Sequence, residues 1–118
     1  MKWEKDIDEN IRCGMVEILI LQLLSEREMY GYEIRHELEK RTDGAFLIKE
    51  GSLYGPLYRM QQRGLISAER VVVGEKRFRN YFHIEESGKE YLAYGWEQIH
   101  EVYRGVNALL NYSKRKLG

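Results

Sequence analysis

The hydrophobic period of this chain changes twice, from helical to alternating after Gly64 and back to helical at Ser87. A period of two cannot be satisfied by a helix, so one short sheet must sit between helical segments. Ile66 to Val73 reads as a strand, Gly74-Glu75-Lys76 as a tight turn, and Arg77 to Ile84 as the returning strand with Phe78, Phe82 and Ile84 on one face. Three helical segments precede the hairpin. Residues 11–24 carry Ile11, Met15, Ile18, Leu19 and Gln22 at helical spacing, with Val16, Ile20, Leu23 and Leu24 filling the remaining circumference. That pattern predicts one helix covered from two directions. Tyr30, Ile34 and Leu38 mark a second helix that stops at Asp43-Gly44, and Leu53, Leu57 and Met60 a third that stops at Gly64. Pro56 requires the third to begin only a turn earlier or to bend there, and Ala45 to Ile48 is expected as a stub of strand.

Beyond Ser87, Leu92, Ile99 and Val106 repeat every seven residues, as do Trp96, Tyr103 and Leu110, and the two series interlock with gaps of four and three. Such a seam is satisfied most simply by a second copy of the chain. The expected architecture is mainly α with a small β-hairpin. It comprises an N-terminal arm (1–10), a winged helix-turn-helix (11–86) and a C-terminal dimerisation helix (87–118). Trp3 and Ile7 either dock on the partner's last helix or belong to a mobile arm.

Several function classes are excluded. A chain of 118 residues is one domain's worth. Its longest apolar stretch, Met15 to Leu24, is interrupted by Glu17 and Gln22 and falls short of the roughly 20 residues that cross a bilayer. The acid-rich start does not read as a signal peptide, so the expected location is the cytosol, without a membrane partner. Cys13, the single cysteine, cannot form an internal disulfide or hold zinc alone, and is expected to be a small buried hydrophobe. His36, His83 and His100 fall on separate elements, and no nucleophile elbow or phosphate loop is present. Glu85 and Glu86 sit where a helix dipole welcomes carboxylates. No enzymatic activity, cofactor or metal site is expected.

Nineteen basic and nineteen acidic residues cancel overall, which at first argues against a nucleic-acid partner. The distribution reverses that inference. Residues 51–84 hold six positive and two negative charges, a net +4, whereas residues 1–50 hold eight positive and twelve negative, a net −4. Basic charge is thus concentrated on the third helix and the hairpin, where a winged helix-turn-helix meets double-stranded DNA. Opposite Leu53, Leu57 and Met60, the third helix presents Ser52, Gly55, Tyr58, Arg59 and Gln62, flanked by Tyr54 and Arg63. In the hairpin, Arg77, Arg79 and Tyr81 alternate onto the face opposite Phe78 and Phe82, and Lys76 lies at the tip. Hydroxyls, amides and guanidinium groups are the donors that reach phosphates and base edges. The alternative is a winged helix used to bind proteins, which the neutral total and abundant tyrosines would also suit.

Met29-Tyr30-Gly31-Tyr32-Glu33-Ile34, Gly51-Ser52-Leu53-Tyr54, Arg63-Gly64-Leu65-Ile66 and Arg77-Phe78-Arg79-Asn80-Tyr81-Phe82, with Gly88 shortly after, resemble the PadR family of bacterial transcriptional regulators. The match runs over about residues 13–90. The resemblance implies a homodimeric winged-helix repressor of the compact subfamily with one long C-terminal helix, with Gly51 to Arg59 in the recognition helix and Lys76 to Tyr81 in the wing. Gly55 intervenes before Pro56 where the family usually has Pro directly after the motif Tyr, and Lys76 and Asn80 replace a family Gly and a frequent Lys. Some short relatives hold flat hydrophobic compounds between dimer-related tryptophans of the last helix. By that likeness Trp96 is the candidate wall for a planar aromatic effector, against the plainer reading that it is a large interface residue.

Overall fold

The computed structural model describes residues 2–117. Five helices and one hairpin follow in the order α1 (Glu4–Cys13), α2 (Val16–Leu24), α3 (Gly31–Arg41), α4 (Glu50–Gln62), β1 (Ile66–Gly74), β2 (Arg77–Ile84) and α5 (Glu86–Leu117). α2, α3 and α4 form a three-helix cluster around Ile20, Leu21, Met29, Ile34, Leu53, Leu57 and Met60, all essentially removed from solvent. α2 is the central element. Ile18, Ile20, Leu21, Leu23 and Leu24 are all buried along it, because α3, α4, β2 and α5 contact it from different sides.

The hairpin is antiparallel with Ile66 opposite Ile84 and Val72 opposite Phe78, and an irregularity between Val72 and Gly74 leads into its tip. Its base is fixed by a bridge in which Phe82 and Met29 exchange backbone hydrogen bonds. Only the base joins the core. Phe82 and Ile84 are buried, whereas Phe78, on the same face farther out, is exposed under the guanidinium of Arg70, 4.0 Å from its ring centroid.

Four sequence expectations are corrected. The pattern over residues 11–24 belongs to two helices that break at Gly14, with α1 starting as early as Glu4. α1 has no buried residue, so Cys13, in its last turn, is exposed rather than part of the core. α4 begins six residues before Pro56 and runs through it, which sets aside a start only one turn earlier; the proline offers no N–H to the Ser52 carbonyl and its ring crowds that carbonyl. Residues 45–48 form no strand. That loop is held by side chains instead, with Arg12 Nε donating to the Ala45 carbonyl (2.7 Å) and Arg35 Nε to the Ile48 carbonyl (3.1 Å).

α4 ends where Gly64 adopts φ +73° and the Leu65 amide reaches back to the Met60 carbonyl at 2.9 Å, a stop that favours glycine. At 32 residues α5 extends far beyond the helix cluster. Its first turns are anchored by Ser87 Oγ on the Gly64 carbonyl (2.6 Å) and by Gly88 against Leu65. No helix among the described residues is long and apolar enough to cross a membrane.

Candidate nucleic-acid interface

Burying Leu53, Leu57 and Met60 fixes the rotation of α4 and so determines what faces away. On the outward side Gly51, Gly55, Tyr58 and Gln62 form the central line, with Ser52 and Arg59 on one flank and Tyr54 on the other; all are exposed. Tyr58, at 62%, is more open than Tyr54, at 51%. The first two turns of the outward line carry only glycine, so backbone is the surface there.

Tyr54 turns toward α3, where its hydroxyl would lie 3.4 Å from a Cβ built on Gly31. Beside Gly31, Tyr30 N-caps α3 and receives the wing: the Arg79 guanidinium sits 4.2 Å over the Tyr30 ring, and Tyr81 meets that ring edge-on at 5.5 Å. The aromatic row continues through Tyr32, stacked at 6.3 Å on Tyr30, to His36. Arg79 and Tyr81 are thereby brought together with Tyr54 through Tyr30 and Gly31. Lys76 and Arg77 remain at the exposed tip, separate from that row.

Arg59 of α4 and Arg63, which caps the helix one turn later, both approach a carboxylate of α2. Arg59 Nε donates to Glu17 Oε1 at 3.2 Å, and Arg63 Nη1 lies 3.9 Å from Glu17 Oε2. The Glu17 side chain is only 16% exposed, those of both arginines 56%. Glu17, Tyr30, Tyr32 and Arg70 are the neighbours of the interface that sequence reasoning missed. The Tyr30-Gly31-Tyr32 motif was visible, yet its second tyrosine carries no periodic signal, and Glu17 lies 42 residues from its partner.

The seam of α5 divides in two. Leu92 is buried at 8%, and Trp96 and Ile99 are half-buried against the protomer's own core. The Trp96 indole N–H donates to Gln22 Oε1 at 2.8 Å and its ring tilts toward His100. Tyr103, Val106 and Leu110 are exposed, together with Val102 and Leu109. Between α1, the start of α2 and α5 runs an apolar groove of about 570 Å³, with Ile11, Met15, Ile18, Tyr94, Ile99 and Val106 among its walls. No group of three or more His, Cys, Asp or Glu side chains suited to a metal occurs among the described residues.

The sequence profile of the transcriptional regulator PadR-like family matches residues 20–94. An uncharacterised protein of Lysinibacillus sphaericus is 35% identical over 99 residues, covering 81% of this chain and 91% of that protein. A transcriptional regulator of Escherichia coli is 26% identical over 95 residues, but this chain spans only 44% of its length. Among solved structures, the PadR-like transcriptional regulator of Bacillus cereus superposes with a TM-score of 0.73 at 35% identity, covering 86% of this chain and 96% of that one. Bacillus subtilis PadR in complex with operator DNA shares the fold at a TM-score of 0.63 and 24% identity, over 67% of this chain and 45% of that one.

Proposed function

Because the chain belongs to the PadR-like family of transcriptional regulators, we propose that it is a cytoplasmic repressor that binds a palindromic operator as a homodimer. Each protomer sets α4 into a major groove, the two half-sites lying about one helical turn apart, and lays its wing along the adjoining backbone. The observation that carries this reading is the outward face of α4. Ser52, Tyr54, Tyr58, Arg59, Gln62 and Arg63 all remain exposed while the opposite face is wholly buried. Lys76, Arg77, Arg79 and Tyr81 supply the wing contacts, with Arg79 held against Tyr30. The same fold in Bacillus subtilis PadR was solved with operator DNA.

The homodimer is supported by the row Val102, Tyr103, Val106, Leu109 and Leu110, all large apolar side chains exposed in the isolated protomer. Trp96 and Ile99 contribute to the interface through the faces their own core leaves open, and Leu92 backs them from within the protomer. The proposed effector is a planar hydrophobic compound with Trp96 as one wall. In support of that role, the indole is held in one orientation by Gln22 and is still partly exposed. An effector that favours one spacing of the two α4 helices shifts the dimer between binding and non-binding states.

Fluorescence anisotropy with duplexes selected from a random pool tests the reading. A dimer making about 6–10 phosphate contacts loses orders of magnitude in affinity between about 50 and 200 mM salt. No binding at low salt rejects it. For the effector, a planar dye should quench Trp96 in a variant lacking Trp3 and change operator affinity, and Trp96→Ala should abolish both effects.

A further inference from the structure

We propose that Glu17 is a positioning residue for DNA recognition, holding Arg59 in the orientation in which it meets the duplex; this rests on the DNA-binding role proposed above. A free arginine side chain on an exposed helix samples many rotamers, and ordering it on binding costs affinity. Here the ordering precedes DNA. Glu17 Oε1 takes the Nε–H at 3.2 Å, which leaves the four N–H groups of the two terminal nitrogens for another acceptor. Arg59 Nη1 lies 3.4 Å from where a Cβ on Gly55 would stand. The guanidinium therefore reaches the outward line of α4 at the point where that line is bare backbone. A carboxylate behind and a planar fork in front, next to a glycine, make up the arrangement in which arginine addresses a phosphate or a guanine edge.

The same carboxylate has a second effect. Arg59 and Arg63 are like charges one turn apart, and Glu17 lies within 3.9 Å of both. It offsets part of the basic charge of α4, which weakens sequence-independent attraction to any duplex. Glu17 thus raises the ratio of specific to non-specific binding from both directions.

The test measures affinity for a selected duplex and for a scrambled duplex of equal composition, using the wild type, Glu17→Ala, Glu17→Gln, Arg59→Ala and the Glu17→Ala/Arg59→Ala double variant. Expected for Glu17→Ala is about tenfold weaker binding to the selected duplex alongside tighter binding to the scrambled one. Glu17→Gln, which keeps an acceptor for Nε, should retain most of the selected-duplex affinity. In the Arg59→Ala background, Glu17→Ala should no longer weaken it. The idea is overturned if Glu17→Ala tightens both duplexes by the same factor, which would make Glu17 a plain negative charge, or if its loss persists without Arg59. The Arg59 Hε resonance of the free protein supplies a readout without DNA, and should be protected from exchange in the wild type and lose protection in Glu17→Ala. If duplexes are selected but that resonance is the same in both, DNA binding stands and the positioning role alone falls. If the wild type selects no duplex, both fall.

Discussion

A Cβ on Gly88 would stand 2.2 Å from the carbonyl oxygen of Leu65, which also accepts the Glu85 amide at 2.9 Å. Backbone lies against backbone where α5 leaves the winged domain, so no rotamer change relieves an added methyl. Gly88→Ala should cost about 2–3 kcal/mol, on the order of 10 °C in melting temperature. Gly95 makes an instructive contrast, since its added Cβ would also meet an atom at 2.2 Å, the Cδ1 end of Ile18. That end can move, and alanine is the better helix former. Gly95→Ala should shift the melt by no more than a few degrees, and adding Ile18→Val, which deletes Cδ1, should recover any loss. Thermal denaturation of the three variants checks the order; equal losses at Gly88 and Gly95 would refute it.

Gly55 lies inside α4 with only the Arg59 guanidinium near the position of a Cβ, at an ordinary contact distance of 3.4 Å. Folding gives no reason for glycine there, and alanine should stabilise the helix by about 0.5–1 kcal/mol. If the bare line of α4 seats against DNA, the same methyl should weaken binding to a selected duplex, about fivefold or more. A higher melting temperature joined to weaker anisotropy-measured affinity is the expected pair of results. Stabilisation with unchanged affinity would remove Gly55 from the interface.

Some of this was legible in the sequence and some was not, for reasons that differ by residue. The hairpin was readable because alternation and a turn occur in adjacent residues, and Ile66 does pair with Ile84. The break at Gly14 was hidden because apolar residues continue on both sides of it, and Ile11 keeps the helical spacing although it is exposed. A seven-residue period likewise cannot say whether a seam meets its own domain or a second copy. Leu92 and Val106 stand two periods apart in one series, yet one is buried and the other exposed. Glu17 reads as one more acid on a helix until the fold brings Arg59 to it.

A pH dependence follows from α3. Arg41 Nε donates to Glu37 Oε2 at 2.8 Å, while Arg41 Nη1 spans both oxygens of Glu26 at 2.7 and 2.8 Å. The hydrogen bond from Arg41 holds the Glu37 carboxyl below its ordinary value of 4.5. A carboxyl depressed by folding contributes stability above its unfolded value and loses it as pH falls through the folded one. Arg41→Ala should therefore melt earlier than the wild type at pH 7, with the gap narrowing on acidification below about pH 4.5. Melting curves across that range decide it; a gap independent of pH would leave the pair without a role in acid sensitivity.

Val106 is 51% exposed on α5 and also lines the groove beside α1. Within the protomer an aspartate there would remain in contact with water, so the monomer fold and its melting should change little. In the proposed dimer the same carboxylate would be carried into an apolar interface without a partner, at a cost of several kcal/mol. Val106→Asp should then weaken dimerisation about 100-fold or more, seen as a shift toward 14.1 kDa in sedimentation at micromolar protein. Affinity for a two-half-site duplex should fall with it, because each monomer retains α4 and its wing but loses the second half-site. A half-site duplex, which engages one protomer, should be bound about as well as by the wild type. If Val106→Asp stays dimeric, or loses half-site binding as well, the exposed row of α5 is not the interface.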